Sequence, residues 1–111
     1  MNPKQQLMAA MAHEKAARAL YTLATGNGDL KDRLFRAWQD HLTMLSGRNL
    51  PEPFQECYDA MYEQVTAQGP DNPDEGQIAA SIRHMSLEEA EALAKQTVSF
   101  AIDVEVATAH R

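Results

Sequence analysis

Aromatic residues make up only 6% of this 111-residue chain, and cysteine occurs once, at Cys57. A lone thiol excludes an intramolecular disulfide and a cysteine-based zinc cage. The shortage of aromatics, together with few Val, Ile and Thr, argues against a β-sheet, whose pleated faces are packed by those residues. Long hydrophobic runs are missing too. The apolar stretch 7–12 stops at His13-Glu14, too short for a membrane span and without a leader-like cleavage context, so a cytoplasmic protein is expected. Finally, one segment has no bases. Between Pro51 and Ile82 stand seven acids (Glu52, Glu56, Asp59, Glu63, Asp71, Asp74 and Glu75) and no Lys or Arg, whereas residues 1–50 hold seven bases against four acids. With a net charge of −6 and no basic cluster, direct binding of DNA or RNA is not expected, because neutralising phosphates requires gathered bases.

What is abundant points to helix. Ala, Leu, Met, Glu, Gln, Lys and Arg dominate, and these are the strong helix formers. The 44% hydrophobic content, much of it alanine, suits a globular domain that builds its core without disulfide or metal. At this length a single domain over 1–111 is expected, of all-α class, as an antiparallel bundle of four main helices and one short one.

The periodicity supports that reading. A first helix over 3–24 gathers Met8, Ala9, Ala12, Ala16, Ala19, Leu20 and Leu23 on one face, with Lys4, Glu14, Lys15 and Arg18 opposite. Its small buried residues invite close approach by a neighbour. Gly26 is the expected left-handed cap and Asp29 the next helix's N-cap, so the 25–29 segment reads as a tight turn rather than a phosphate loop, which would need a preceding strand and a following Lys-Ser/Thr. A second helix over 30–46, ended by Gly47, sets Leu30, Leu34, Phe35, Trp38, Leu42 and Leu45 on its apolar side. The third, over 52–68, buries Phe54, Cys57, Tyr58, Met61, Tyr62 and Val65 and stacks Glu52, Glu56, Asp59 and Glu63 on the reverse. Asn72-Pro73-Asp74-Glu75 resembles a capping box opening a short helix over 73–83, and Ser86-Leu87-Glu88-Glu89 a second one opening a last helix over 87–109.

Chemistry is harder to find. His41 falls within the second helix's apolar face, where a partly buried imidazole could serve as base or ligand, or simply bond a backbone carbonyl or a carboxylate of the third helix. His13, His84 and His110 show no spacing that forms a helical metal site, and neither a His-Glu-x-x-His nor paired Glu-x-x-His motifs occur, so no metal or cofactor is expected. Cys57 has no base near it in sequence to stabilise a thiolate. A catalytic reading would rest on a pocket of Trp38, His41, Cys57 and Tyr58. The acid row 52–63 has three readings: a solvated face, a surface partly matched by Arg33 and Arg36 of the second helix, or a docking site for a basic partner. On the last helix Val98, Ile102 and Val106 recur at four-residue steps off the core stripe, with Glu105 on the opposite apolar side; together with Leu7 and Met11 they suggest self-association, most simply as a homodimer.

These features favour a small non-catalytic interaction or regulatory protein. Its acidic 52–75 region would dock a protein partner, in one form as an inhibitor or antitoxin covering a basic surface. The alternative is a small helical enzyme or ligand-binding bundle centred on His41.

Overall fold

Three helices of the chain start at a side chain that satisfies their exposed amides. The computed structural model describes residues 2–45 and 50–109. Among them are five α-helices and one 3₁₀ turn, without a strand: α1 (Pro3–Thr25), α2 (Leu30–Asp40), the 3₁₀ turn Leu42–Met44, α3 (Glu52–Val65), α4 (Gln77–His84) and α5 (Leu87–Thr108). Asn2, Asp29 and Ser86 cap α1, α2 and α5, each in a reciprocal pair with the residue three places on. At Ser86 the returning backbone N–H bond holds the Glu89 carboxyl below its ordinary range.

The connection from α1 to α2 differs from the expected one. Gly26 is extended rather than left-handed, and Gly28, at φ 94°, takes the left-handed conformation. A Cβ on Gly28 would stand 2.5 Å from the Asp32 carboxylate that completes the α2 cap. Arg33 and Arg36 do not reach across to α3. Arg33 Nη1 donates to Leu23 O at 2.9 Å and Arg36 to Asn27 O, so both serve carbonyls at the end of α1 and in the turn after it.

The second helix is also shorter than its apolar pattern implies. It stops at Asp40, His41 leaves helical geometry, and the chain re-forms as the 3₁₀ turn. In α3 the Tyr58 hydroxyl lies 2.8 Å from Leu42 O and 2.7 Å from Leu45 O, so its one proton serves either carbonyl of this non-α-helical segment. The expected stop at Ser46 and Gly47 lies outside the described residues. Likewise α3 ends at Val65 rather than 68, and beyond its end the Gln77 side chain donates to Thr66 O.

The core sits where α1, α2, α3 and α5 meet. Ala12, Ala16 and Ala19 are fully buried and let neighbouring backbones come close to α1. His13 meets Glu105 and Thr108, while Leu20 and Ala24 share a hollow with Val98 and Ala94, so α1 and α5 run antiparallel. Trp38 is 0% exposed and lies 5.8 Å, centroid to centroid, from Tyr58, which in turn lies 6.0 Å from Phe100. Its indole N–H donates to Thr97 Oγ1 at 3.3 Å, and the Thr97 hydroxyl donates onward to Leu93 O at 2.7 Å. The short α4 is tied to α2 by Lys31, whose ammonium donates to Arg83 O and Met85 O, where a helix C-terminus favours positive charge. No helix among the described residues is long and apolar enough to cross a membrane.

Since Trp38 fills the centre and its one polar atom is partnered, Trp38→Ala should lower unfolding free energy by about 3–5 kcal/mol. Guanidinium denaturation followed by far-UV circular dichroism measures this. A loss below about 1 kcal/mol would show that the indole is not the keystone described.

Candidate functional site

The seven-acid segment divides in two. In α3 the first turn carries Pro53, then Phe54, Tyr58, Met61 and Val65 turn inward at three- and four-residue steps. That register forces Glu52, Glu56, Asp59 and Glu63 onto the outer side, and all four are exposed. None of them forms an ion pair with a base among the described residues. Tyr62, at the margin of this row, keeps 42% of its surface exposed while its ring stacks on Tyr58 at 6.0 Å.

Asp71 and Glu75 are placed differently. Arg83 grips both: its Nη2 lies 2.6 Å from Asp71 Oδ2 and its Nε 2.7 Å from Glu75 Oε2. Arg83 sits one place past the base-free segment, so a strict count by segment hides it, and the turn from α4 back over the 66–76 loop brings it home. These bonds correct the expected short helix from Pro73. Asn72 accepts from Asp74 N in a turn, and α4 begins only at Gln77. Ser81 and Gln77 fasten the same loop through Gln68 and Thr66. Asp74 stays exposed. Within this clamp the Glu75 carboxyl is held down to about 2, first by the Arg83 side-chain bonds and then by the Asp71 backbone N–H.

Of Trp38, His41, Cys57 and Tyr58, the structure brings the Trp38 and Tyr58 rings together at 5.8 Å. The indole N–H of Trp38 turns to Thr97, and Cys57 packs half-buried against the core. His41 Nε2 lies 3.3 Å from the Thr22 hydroxyl on α1, neither a backbone carbonyl nor an α3 carboxylate. Burial lowers its pKa, opposed by Asp40 and assisted by Arg18 and Lys15, which favours the neutral ring. The Tyr58 hydroxyl is raised well above the ordinary phenol range, chiefly by burial and further by Tyr62 and Asp59, so it is fixed as a donor to carbonyls rather than poised as a base.

The apolar candidates separate as well. Ile102 and Val106 are 47% and 65% exposed, and Val98 is half-buried in the same row. Leu7 (62%) and Met11 are exposed, but at 100° per residue they lie on the side of α1 roughly opposite to His13 and Leu20, which face α5. One contiguous patch is therefore not formed. Beside Val98 the surface sinks into an open, mainly apolar hollow of about 630 Å³ lined by Leu20, Leu23, Ala24, Leu30, Ala94 and Lys95 among others.

The role of Glu105 has no counterpart in the sequence pattern. His13 Nδ1 stands 2.8 Å from Glu105 Oε2 and 2.9 Å from Thr108 Oγ1. The Thr108 hydroxyl donates to Val104 O, so its oxygen accepts and Nδ1 carries the proton. Glu105 Oε1 is buried and has no hydrogen-bond partner among the described residues. Histidine 92 positions before its acid gives no local signal; only the antiparallel pairing of α1 and α5 brings them together. Among the described residues no three His, Cys, Asp or Glu side chains are placed to hold a metal ion.

Comparison with protein-family models, curated proteins and solved structures finds no match.

The Arg83 clamp predicts an acid-sensitive loop. Because the folded Glu75 carboxyl titrates below its ordinary 4.5, its contribution is complete above that value and fades as pH falls toward about 2. Carboxyl NMR should place the Glu75 midpoint near 2 in the native chain and return it toward 4.5 in Arg83→Gln. A midpoint unmoved by that substitution would show that Arg83 does not hold it.

Proposed function

We propose that this chain is a non-catalytic interaction protein whose outer α3 face receives a basic protein partner. The observation that carries the reading is the row Glu52, Glu56, Asp59 and Glu63, exposed and without a compensating base among the described residues. Like charges at three- and four-residue spacing repel by a few tenths of a kcal/mol per pair. A cationic partner relieves that repulsion on contact, and the field of the row speeds and orients the encounter. Tyr62 at its margin offers an aromatic face that favours Arg or Lys from the partner. Asp71 and Glu75, bound to Arg83, contribute less, which narrows the docking surface from the whole 52–75 region to α3. A surface shaped for nucleic acid is one source of such positive charge, so an inhibitor or antitoxin role is the narrower form. Action in the cytoplasm belongs to the same proposal, in keeping with the unpaired thiol of Cys57.

Two measurements on Glu56→Gln/Asp59→Asn/Glu63→Gln test this. In parallel affinity capture from native extract, the intact chain should retain a basic protein that elutes with rising salt, and the triple variant should lose that protein. Equal retention by both would sink the docking face. Thermal denaturation of the purified chains should show the variant more stable by about 2–5 °C, from relief of up to about 1 kcal/mol of repulsion. A destabilised variant would mean that the row is compensated within the chain.

A further inference from the structure

We propose that Asn27 is a self-modifying site: the backbone nitrogen of Gly28 closes on its side-chain amide, ammonia leaves, and water converts residue 27 to an aspartyl or isoaspartyl residue. The site lies in the turn between α1 and α2, apart from the α3 row, and stands independently of it.

Asparagine is among the thermolabile residues, and this chain holds it at positions 2, 27, 49 and 72. Ring closure asks three things of any one of them. The next residue must carry an N–H, the side-chain amide must be free to turn, and the attacking nitrogen must be unobstructed. Asn2 and Asn72 fail the first, since Pro3 and Pro73 follow them. They fail the second as well: Asn2 Oδ1 accepts from Gln5 N at 2.8 Å, and Asn72 Oδ1 from Asp74 N at 3.0 Å. Asn49 lies outside the described residues and precedes the bulky Leu50. Asn27 meets all three conditions. It is exposed, and neither its side-chain amide nor the Gly28 N–H has a hydrogen-bond partner among the described residues. Gly28 leaves its nitrogen open to approach, and glycine on both sides of Asn27 gives the backbone freedom to bring the two groups together.

Arg36 favours the step electrostatically. Its guanidinium donates to Asn27 O, the carbonyl of the same peptide whose nitrogen attacks. When that N–H loses its proton, the negative charge spreads onto this oxygen, where a fixed cation stabilises it. Asp29 and Asp32 oppose the charge, but both are committed to the α2 cap, each accepting the other's backbone N–H. Arg33 turns instead to Leu23 O and Asp29 O. An open hollow of about 530 Å³, lined by Thr25, Asn27, Arg36 and Asp40 among others, admits water.

The atoms balance without any exchange of electrons. Gly28 N bonds to Asn27 Cγ as the Cγ–Nδ2 bond breaks, and the proton from Gly28 leaves with Nδ2 as ammonia. Water then opens the ring, its hydroxyl going to carbon and its proton back to Gly28 N. Opening at Cγ leaves Asp, whereas opening at the backbone carbon leaves an isoaspartyl link. Either product sets one more negative charge beside Arg36 in a chain already at −6.

Peptide mapping of the folded chain, incubated at mildly alkaline pH and body temperature, tests this. The tryptic peptide 19–31 contains Asn27 and no other side-chain amide. It should gain about 1 Da and split into two products, one of them labelled by an isoaspartyl methyltransferase, while Asn2 and Asn72 stay unmodified. Asn27→Gln should abolish the change. Arg36→Gln should slow it by about threefold or more while keeping the helical circular dichroism. Should that variant disturb folding, Arg36→Met serves instead with the same expected slowing. A folded chain whose peptide 19–31 keeps its mass while the synthetic peptide converts would show that the turn locks Asn27. An Arg36 variant that converts as fast as the native chain would show that the guanidinium does not assist. Either result overturns the proposal, and neither bears on the α3 reading.

Discussion

The structure depends on the close approach of α1 to its neighbours across bare alanines. Ala12, Ala16 and Ala19 contribute no bulk, so α2 and α5 settle against the α1 backbone and bring their larger residues inward. Trp38 and Phe100 are then positioned to enclose Tyr58 from two sides. A larger side chain at any of these alanines would push the helices apart and separate that aromatic group. Burying Tyr58 in turn requires its hydroxyl to find partners, and the 3₁₀ turn supplies them. One packing choice on α1 thus propagates to the shape of the chain after α2.

Most of the helical layout can be read from the residues. The inward stripe of α1, that of α3 apart from the exposed Tyr62, and the caps at Asp29 and Ser86 follow from apolar spacing and local hydrogen-bonding capacity. The misreadings share a cause: a local pattern overruled by a distant side chain. Leu42 and Leu45 keep helical spacing, yet their carbonyls lie at the Tyr58 hydroxyl in a non-α-helical segment. Asn72 to Glu75 matches a helix start, yet Arg83 captures two acids and leaves a loop. Gly26 and Gly28 are equivalent in sequence, and the reciprocal Asp29–Asp32 cap decides which turns left-handed.

The candidate surfaces were legible to different degrees. The α3 acids were visible as a row because their outward direction follows directly from the buried side of one helix. The grouping of Leu7 and Met11 with Ile102 and Val106 could not be judged from single helices, since it depends on which flank of α1 meets α5. Arg33 and Arg36 show the same limit. Their polar position on α2 is correct, but their partners are carbonyls at the end of α1 and in the turn beyond it. Backbone acceptors have no signature in composition.

The unpartnered oxygen of Glu105 carries a consequence for how the molecule breathes. A buried carboxylate oxygen that accepts no bond gains a water partner whenever the helices part, so opening is favoured there relative to the sealed stretch around Thr97. The α1–α5 seam should accordingly open first at the His13 end. Backbone amides in the last two turns of α5 should therefore exchange with heavy water ahead of those beside Leu93, giving the bundle one loose hem and one stitched edge.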